Sequence, residues 1–129
     1  MKKTGILNRD IARVLASLGH TDHIVIADCG LPIPPGVECI DLSIKRGVPT
    51  FVEVLGEVLE DMEVEAMIAA TEAKEKNPFV HHALQSKGIP TYYLPHEDLK
   101  AETLKVKAVI RTGESTPYAN VILRAGVIF

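Results

Sequence analysis

A short apolar run, followed by a turn that cannot be regular structure, is the feature that most constrains this fold. Residues 24–27 (Ile-Val-Ile-Ala) are apolar without alternation, a pattern typical of a strand buried on both faces. Asp28 follows at once, and a Gly-Leu-Pro-Ile-Pro turn occupies residues 30–34. Strands of this kind belong to α/β sheets, which hold ligands at the carboxyl ends of their strands. We therefore expect Asp28 to lie at a ligand-binding edge.

A helix is predicted just upstream of this strand. Asn8 is a favourable N-cap, and the apolar residues between positions 11 and 18 recur at helical spacing. Gly19 stands where the residue after a helix often adopts a left-handed conformation, so we expect the helix to end there. This arrangement puts His20 directly after a helix and Asp28 directly after a strand.

Two further helices have clear start signals. Thr50 and Glu53 have the spacing of a capping box at the head of a strongly periodic segment. Asn77 and Pro78 occupy N-cap and first-turn positions of a helix expected to end at Gly88.

Several apolar segments alternate with these helices. Residues 64–70 favour a strand, although Glu65 and the alanines also allow a helix. A short helix is expected over residues 97–103, and the other predicted strands cover residues 37–42, 91–94, 106–110 and part of 121–129. The alternation predicts an α/β protein: residues 1–129 as a single three-layer α/β/α domain with a mainly parallel, Rossmann-like sheet.

Composition and charge narrow the class of protein. Fourteen basic and 17 acidic residues give a net charge of −3, which provides no basic field for nucleic acid. No uncharged run approaches the roughly 18 residues needed to span a bilayer, so membrane insertion is not expected. Cys29 and Cys39 are too few for a disulfide scaffold. A cytoplasmic location is the expectation.

His20 and Asp28 are the first candidates for chemistry. Histidine exchanges protons near neutral pH because its ordinary pKa is close to 6.5. His20 could equally cap the preceding helix, and Asp28 could form an Asx turn into Gly30. Since only one short strand separates them, we expect the two side chains to converge on one patch.

A metal site is the alternative for this segment. His20, Asp22 and His23 offer three possible ligands, but their spacing matches no zinc motif, so we expect no metal. Asp22 is better interpreted as a turn residue. His81 and His82 are expected on the surface of a polar helix.

Two later segments add polar groups. His96 follows a predicted strand and should share the edge of Asp28 if the strands are parallel, although it could also begin a helix. Tyr118 and Asn120 follow Gly113 and Pro117, which force a loop. Phosphate-binding loops, dinucleotide fingerprints and nucleophile elbows are missing from the sequence. These groups suit proton transfer on a neutral polyhydroxylated ligand, without a cofactor.

Motifs along the whole chain closely resemble the D-ribose pyranase family. They are GILN at 5–8, LGHTD at 18–22, ADCGLPIP at 27–34, IDLS at 40–43, GVP at 47–49 and VIRTGESTPYANVILRAGVIF at 109–129. The related fucose mutarotases share the histidine, the aspartate and a Tyr-x-Asn but differ after the aspartate. The Gly-Leu-Pro-Ile-Pro turn therefore favours the ribose branch.

The resemblance implies an isomerase that interconverts the pyranose and furanose forms of D-ribose through the open-chain aldehyde. It makes His20 the proton donor. It makes five residues sugar contacts: Asp28, His96, Tyr118, Ala119 and Asn120. Whether Asp28 binds hydroxyls or orients His20 stays open. Two other functions stay open as well, a non-catalytic sugar-binding or transport-associated protein and a fucose-type mutarotase.

The family also implies a homodecamer of two stacked pentameric rings, with sugar bound between neighbouring subunits. Such an assembly would fit the apolar end of the chain at residues 127–129, which would otherwise fray. Pairing of this segment as a strand in its own sheet is compatible with that view. We hypothesise that the loop over 118–120 reaches the His20 site of an adjacent chain.

Overall fold

The computed structural model describes all 129 residues and contains five helices and six strands. The helices are α1 (Arg9–Ser17), α2 (Phe51–Asp61), α3 (Ala73–Lys76), α4 (Pro78–Gln85) and α5 (His96–Glu102), followed by a 3-10 turn over Thr103–Lys105. The strands are β1 (His23–Ala27), β2 (Glu38–Asp41), β3 (Val64–Ala70), β4 (Thr91–Leu94), β5 (Ala108–Arg111) and β6 (Val121–Ala125).

All six strands form one sheet in the order β2-β5-β1-β6-β3-β4. The pairs β1–β5, β2–β5 and β3–β4 are parallel, whereas β6 is antiparallel to both of its neighbours, β1 and β3. Five strands therefore run one way and β6 runs against them near the middle. The expectation of an α/β fold with a mainly parallel sheet is confirmed.

Apolar side chains cover both faces of the sheet. On one face, Phe51 and Leu55 of α2 pack with residues of α1 and α4 in a 21-residue core. On the other face, Leu99 of α5 and Leu31 of the proline-rich turn belong to a second cluster around Val25 and Val109. Consecutive residues of β1 thus enter different cores, which explains why its sequence shows no polar alternation.

The start signals of the helices act as predicted. The Asn8 side chain accepts from the backbone N–H groups of Asp10 and Ile11, and Thr50 and Glu53 form the full capping box. Asn77 caps α4, which ends at Gln85, three residues before the predicted end at Gly88. Residues 64–70 form a strand, so the helical alternative is wrong.

The end of α1 differs from the prediction. The helix ends at Ser17 and Leu18 is extended, whereas the positive φ angle, +71°, belongs to Thr21. Gly19 is therefore not a left-handed C′ residue. Its N–H donates instead to the Asp22 carboxylate at 2.9 Å, which closes the turn between α1 and β1. Asp22 is thus the turn residue that the sequence predicted.

The chain ends beyond the sheet. β6 pairs on both sides, but residues 127–129 continue past it, do not pair as a strand and are exposed, so the expectation that this segment pairs in its own sheet is wrong. Ile128 and Phe129 are 91% and 100% exposed. None of the helices is long and apolar enough to cross a membrane.

Gly113 tests how tightly the loop after β5 packs against the segment after β2, at the edge of the sheet where the parallel strands end. A Cβ there would touch the Val48 carbonyl oxygen and lie 2.6 Å from that of Lys45. Because backbone must move to make room, we expect Gly113→Ala to lower the free energy of unfolding by about 1–3 kcal/mol.

Gly56→Ala is the matched control, since nothing lies within 4 Å of a Cβ in the middle of α2. It should stabilise the protein by about 0.5–1 kcal/mol. Urea unfolding monitored by circular dichroism measures both variants, and equal midpoints would contradict the proposed packing.

Candidate active site

His20 and Asp28 lie at opposite edges of the sheet, so the expectation that they converge is wrong within one chain. His20 precedes β1 and Asp28 follows it, and the five residues of this strand span about 17 Å. A strand between two residues separates them by its own length. The candidate site consequently has two parts, which we call the carboxyl-edge cluster (Asp28, His96, Tyr118, Ala119 and Asn120) and the amino-edge cluster (His20, Glu65 and Arg124).

Asp28 and Asn120 form the centre of the carboxyl-edge cluster. The Asn120 Nδ2 donates to Asp28 Oδ2 at 2.9 Å, and the Asp28 N–H donates to Asn120 Oδ1 at 2.9 Å. A third bond, from the Gly30 N–H to Asp28 Oδ1, forms the predicted Asx turn. Asn120 is fully buried, so this amide fixes one carboxylate oxygen while Asp28 itself stays half-buried.

His96 and Tyr118 complete the cluster from two other elements. Their rings meet edge to face with centroids 5.0 Å apart. His96 is the first residue of α5, and its N–H donates to both oxygens of Glu72 at 2.9 and 3.1 Å. Its Nδ1 is buried and has no hydrogen-bond partner in the chain. Ala119, also fully buried, joins Tyr118 to Asn120.

Parallel topology explains this grouping. Asp28 follows β1 and His96 lies just after β4, and both strands run the same way. Residues 118–120 precede β6, which runs in the opposite direction and so begins at the same edge. The predicted common edge of Asp28 and His96 is correct.

Buried polar contacts hold the loop before β6. Asn77 Nδ2 donates to Thr116 Oγ1 at 2.9 Å and to the Pro117 carbonyl at 2.8 Å. Glu114 accepts from the Phe51 N–H at the head of α2, and its own carbonyl accepts from the Cys29 N–H at 2.8 Å. The loop is thereby fixed to α4, to α2 and to the turn after β1.

A small cavity adjoins this edge. It measures about 200 Å³ and is lined by residues 28–30 and 114–117. A larger cavity, about 610 Å³, lies between the N-terminal segment and α2, where apolar side chains predominate. Its polar residues include Asn8 and Glu53, which cap helices. The smaller cavity includes Asp28, whereas the other four residues of the carboxyl-edge cluster lie outside its lining.

The amino-edge cluster is built on three different elements. His20 Nε2 lies 2.9 Å from Glu65 Oε2, and Arg124 Nε lies 2.7 Å from Glu65 Oε1. The hydrogen bond with His20, together with the positive charges nearby, holds the pKa of Glu65 below its ordinary value. Burial and the charge of Arg124 lower the pKa of neighbouring His23. Glu65 is therefore a carboxylate that faces a histidine and an arginine.

Backbone strain marks both clusters. Thr21 and Tyr118 are the only non-glycine residues with positive φ, at +71° and +57°. A left-handed conformation costs a residue with a Cβ about 1–2 kcal/mol. Thr21 directly follows His20, and hydrogen bonds secure its backbone, since its N–H donates to the Ala125 carbonyl.

The other histidines take separate positions. His82 is exposed, as predicted, but His81 is half-buried and its Nδ1 lies 3.2 Å from the Tyr93 hydroxyl. No group of three or more His, Cys, Asp or Glu side chains could hold a metal ion.

Sequence analysis missed the supporting acids. Glu65 looked like the polar position of an ambiguous segment, Glu72 stands in a segment without a motif, and Glu114 lies within the motif at 109–129 but was not singled out. Asn77 was recognised only as a helix cap, although its amide also holds the loop before Tyr118. Their partners are distant in sequence, so no local pattern could have found them.

Comparisons with known proteins give one consistent result. The pattern of the RbsD / FucU transport protein family matches residues 1–128. The chain is 74% identical over 129 residues to a D-ribose pyranase of Halalkalibacterium halodurans, covering 100% of both. It matches the structure of Bacillus subtilis RbsD complexed with D-ribose with a TM-score of 0.98, 53% identity and full coverage of both chains. Fucose mutarotase from Streptococcus pneumoniae, solved with L-fucose, matches at 0.78 and 25% identity over 95% of each chain.

Substitution of Asn120 tests how Asp28 is held. Asn120→Ala removes both hydrogen bonds to Asp28, and we expect the free energy of unfolding to fall by about 1–3 kcal/mol. The Asp28 amide should also exchange its hydrogen faster, because its N–H loses its acceptor.

Asn8→Ala is the control for this variant, since it removes a helix cap far from either cluster and should cost about 1 kcal/mol. Amide exchange by NMR separates the two effects. If Asn120→Ala left the Asp28 amide as protected as Asn8→Ala does, Asn120 would not be what holds that turn.

Proposed function

Since the chain belongs to the RbsD / FucU family, we propose that it interconverts the pyranose and furanose forms of D-ribose. One observation carries this proposal: the full-length likeness to Bacillus subtilis RbsD, which was solved with D-ribose. The Gly-Leu-Pro-Ile-Pro turn after Asp28 and the 74% identity to a D-ribose pyranase favour ribose over fucose.

The reaction needs only proton transfers. Opening the pyranose breaks the bond between C1 and the ring oxygen, which gains a proton, while the anomeric hydroxyl loses its proton and becomes the aldehyde oxygen. Attack of the 4-hydroxyl on the aldehyde then closes the furanose, with the reverse transfers. Because ribose rearranges unaided, general acid–base catalysis of about 10²–10⁴-fold is sufficient. No cofactor is required.

The carboxyl-edge cluster is suited to hold the sugar. Asp28 offers a carboxylate that the buried Asn120 amide holds in place, and charged acceptors bind hydroxyls strongly. The buried Nδ1 of His96 lacks a partner in the chain, and a sugar hydroxyl would supply one. Tyr118 adds a phenol, and the backbone of Ala119 lies between these groups. We assign all five as sugar contacts.

His20 is the proton donor in this scheme, but the His20 of the same chain lies a strand length away. We therefore propose that each site combines the carboxyl-edge cluster of one chain with His20 of another. Exposure supports this arrangement, since the His20 side chain is 53% exposed and Ile44, Phe79 and Ile128 are exposed apolar residues. The assembly we propose is a homodecamer of two stacked pentameric rings.

The remaining expectations follow from the same scheme. We propose that residues 1–129 form a single domain and that the protein works in the cytoplasm, where it supports ribose uptake and catabolism. Its net charge of −3 gives nucleic acid no basic surface to bind.

The effect of a His20 substitution on ribose exchange distinguishes the two hypotheses, an enzyme and a non-catalytic sugar-binding protein. We expect the wild-type protein to accelerate exchange between ribose ring forms at neutral pH, and His20→Ala to abolish that acceleration while ribose still binds. Saturation-transfer NMR on D-ribose measures the exchange, with L-fucose as the test for a mutarotase of the other branch.

His82→Ala is the matched control, because His82 is an exposed histidine outside both clusters. It should exchange ribose at the wild-type rate. Binding of ribose without any acceleration by the wild-type protein would support the sugar-binding alternative instead.

Mixed assemblies test whether two chains share a site. His20→Ala and Tyr118→Phe subunits should each be impaired alone. After random reassembly of equal amounts, about one quarter of the shared sites would combine an intact His20 with an intact Tyr118, so activity should reappear.

Each variant alone, taken through the same dissociation and reassembly, provides the baseline. Activity that never rises above this baseline, in mixtures shown by native mass spectrometry to contain both subunits, would contradict the sharing of sites.

A further inference from the structure

Glu65 occupies an irregular position in the sheet. Along the β3–β6 pair, Val64 lies opposite Ala125 and Ala66 lies opposite Arg124, so Glu65 is an extra residue without a partner. This is a β-bulge, a feature that redirects a side chain and is common beside active sites. Here the redirected side chain meets His20, although β6 separates β3 from β1.

The two oxygens of Glu65 have different partners. Oε2 lies 2.9 Å from His20 Nε2, whereas Oε1 lies 2.7 Å from Arg124 Nε. Arg124 belongs to β6, whose backbone also accepts the N–H of Thr21 through Ala125. Both the side chain of His20 and the turn that follows it are thus fixed to the same pair of strands.

The contact decides which nitrogen of His20 remains free. A carboxylate only accepts hydrogen bonds, so Nε2 must carry the hydrogen in this pair. Nδ1 is then the ring atom left to exchange a proton with a ligand. A ring that carries a second proton, at Nδ1, is the form able to donate a proton to the ring oxygen of a sugar.

We propose that Glu65 is a positioning residue for the reaction, one that holds His20 in the Nε2–H form and directs Nδ1 to the sugar. The positive charge of Arg124 lies beside the other oxygen of this carboxylate, as an ion pair without a hydrogen bond from Nε. The inference rests on the proposed role of His20 as proton donor. When the C1–ring oxygen bond breaks, the ring oxygen takes its proton from Nδ1 and the anomeric proton passes to water. Closure through the 4-hydroxyl returns a proton to Nδ1, and water returns one to the aldehyde oxygen, which becomes the new anomeric hydroxyl.

Three variants test this role. Glu65→Ala removes the acceptor, Glu65→Gln keeps an acceptor oxygen but removes the charge, and Glu63→Ala removes an exposed carboxylate two residues away. Measurements are kcat and KM for ribose exchange by NMR, ribose binding by calorimetry, and the ¹⁵N spectrum of the His20 ring. Arg124, Asp22 and His23 face the same cluster and are unchanged in all three variants.

We expect Glu65→Ala to lower kcat by about 10-fold or more while KM and ribose affinity change little. Its His20 spectrum should show a mixture of the two neutral tautomers instead of the Nε2–H form alone. Glu65→Gln should retain the tautomer and give an intermediate kcat, and Glu63→Ala should match the wild type in every measurement.

Two results would overturn the inference: a kcat for Glu65→Ala equal to that of Glu63→Ala, or an unchanged tautomer ratio in Glu65→Ala. If Glu65→Ala failed to assemble, Glu65→Met, which has similar length and no strong acceptor, would replace it. Failure of the proposed function has a different signature, because the wild-type protein itself would then not accelerate ribose exchange. Failure of His20 as the proton donor would appear as full activity in His20→Ala, whatever the Glu65 variants do.

Discussion

The antiparallel insertion of β6 between β1 and β3 is the constraint on which both clusters depend. The segment that leads into β6 places Tyr118, Ala119 and Asn120 at the carboxyl end of β1, where Asn120 hydrogen-bonds to Asp28. The end of β6 places Arg124 and Ala125 at the amino end of β1, beside His20. A parallel strand in this position would reverse that placement. One strand thus positions functional groups at both edges of the sheet.

Much of the fold could be predicted from the sequence because its signals are local. A cap, a capping box or a proline in the first turn acts within a few residues, and those at Asn8, Thr50 and Asn77 worked as expected. The direction of β6 has no such signal, since an apolar run pairs equally well either way. The prediction of a left-handed Gly19 was wrong for two reasons. The Asp22 side chain closes that turn, and Thr21 takes the left-handed conformation.

The candidate site could be predicted only in part. The common edge of Asp28 and His96 followed from strand direction, whereas residues 118–120 reach that edge only because β6 is antiparallel, which the sequence did not predict. The expected meeting of His20 and Asp28 failed for a geometrical reason: residues on either side of a strand are kept apart by it. Glu65 could not be found because its role depends on a bulge, and a bulge is set by pairing with a distant strand.

The placement of the two clusters at opposite edges determines how many complete sites an assembly of these chains can contain. When every working site takes its two parts from different chains, an open row leaves an unused part at each end and has one site fewer than it has chains. A closed assembly leaves nothing unused, so sites and chains are equal in number. Closure of the assembly thus leaves no unused half-site. The activity per chain then measures the fraction of chains that belong to closed assemblies.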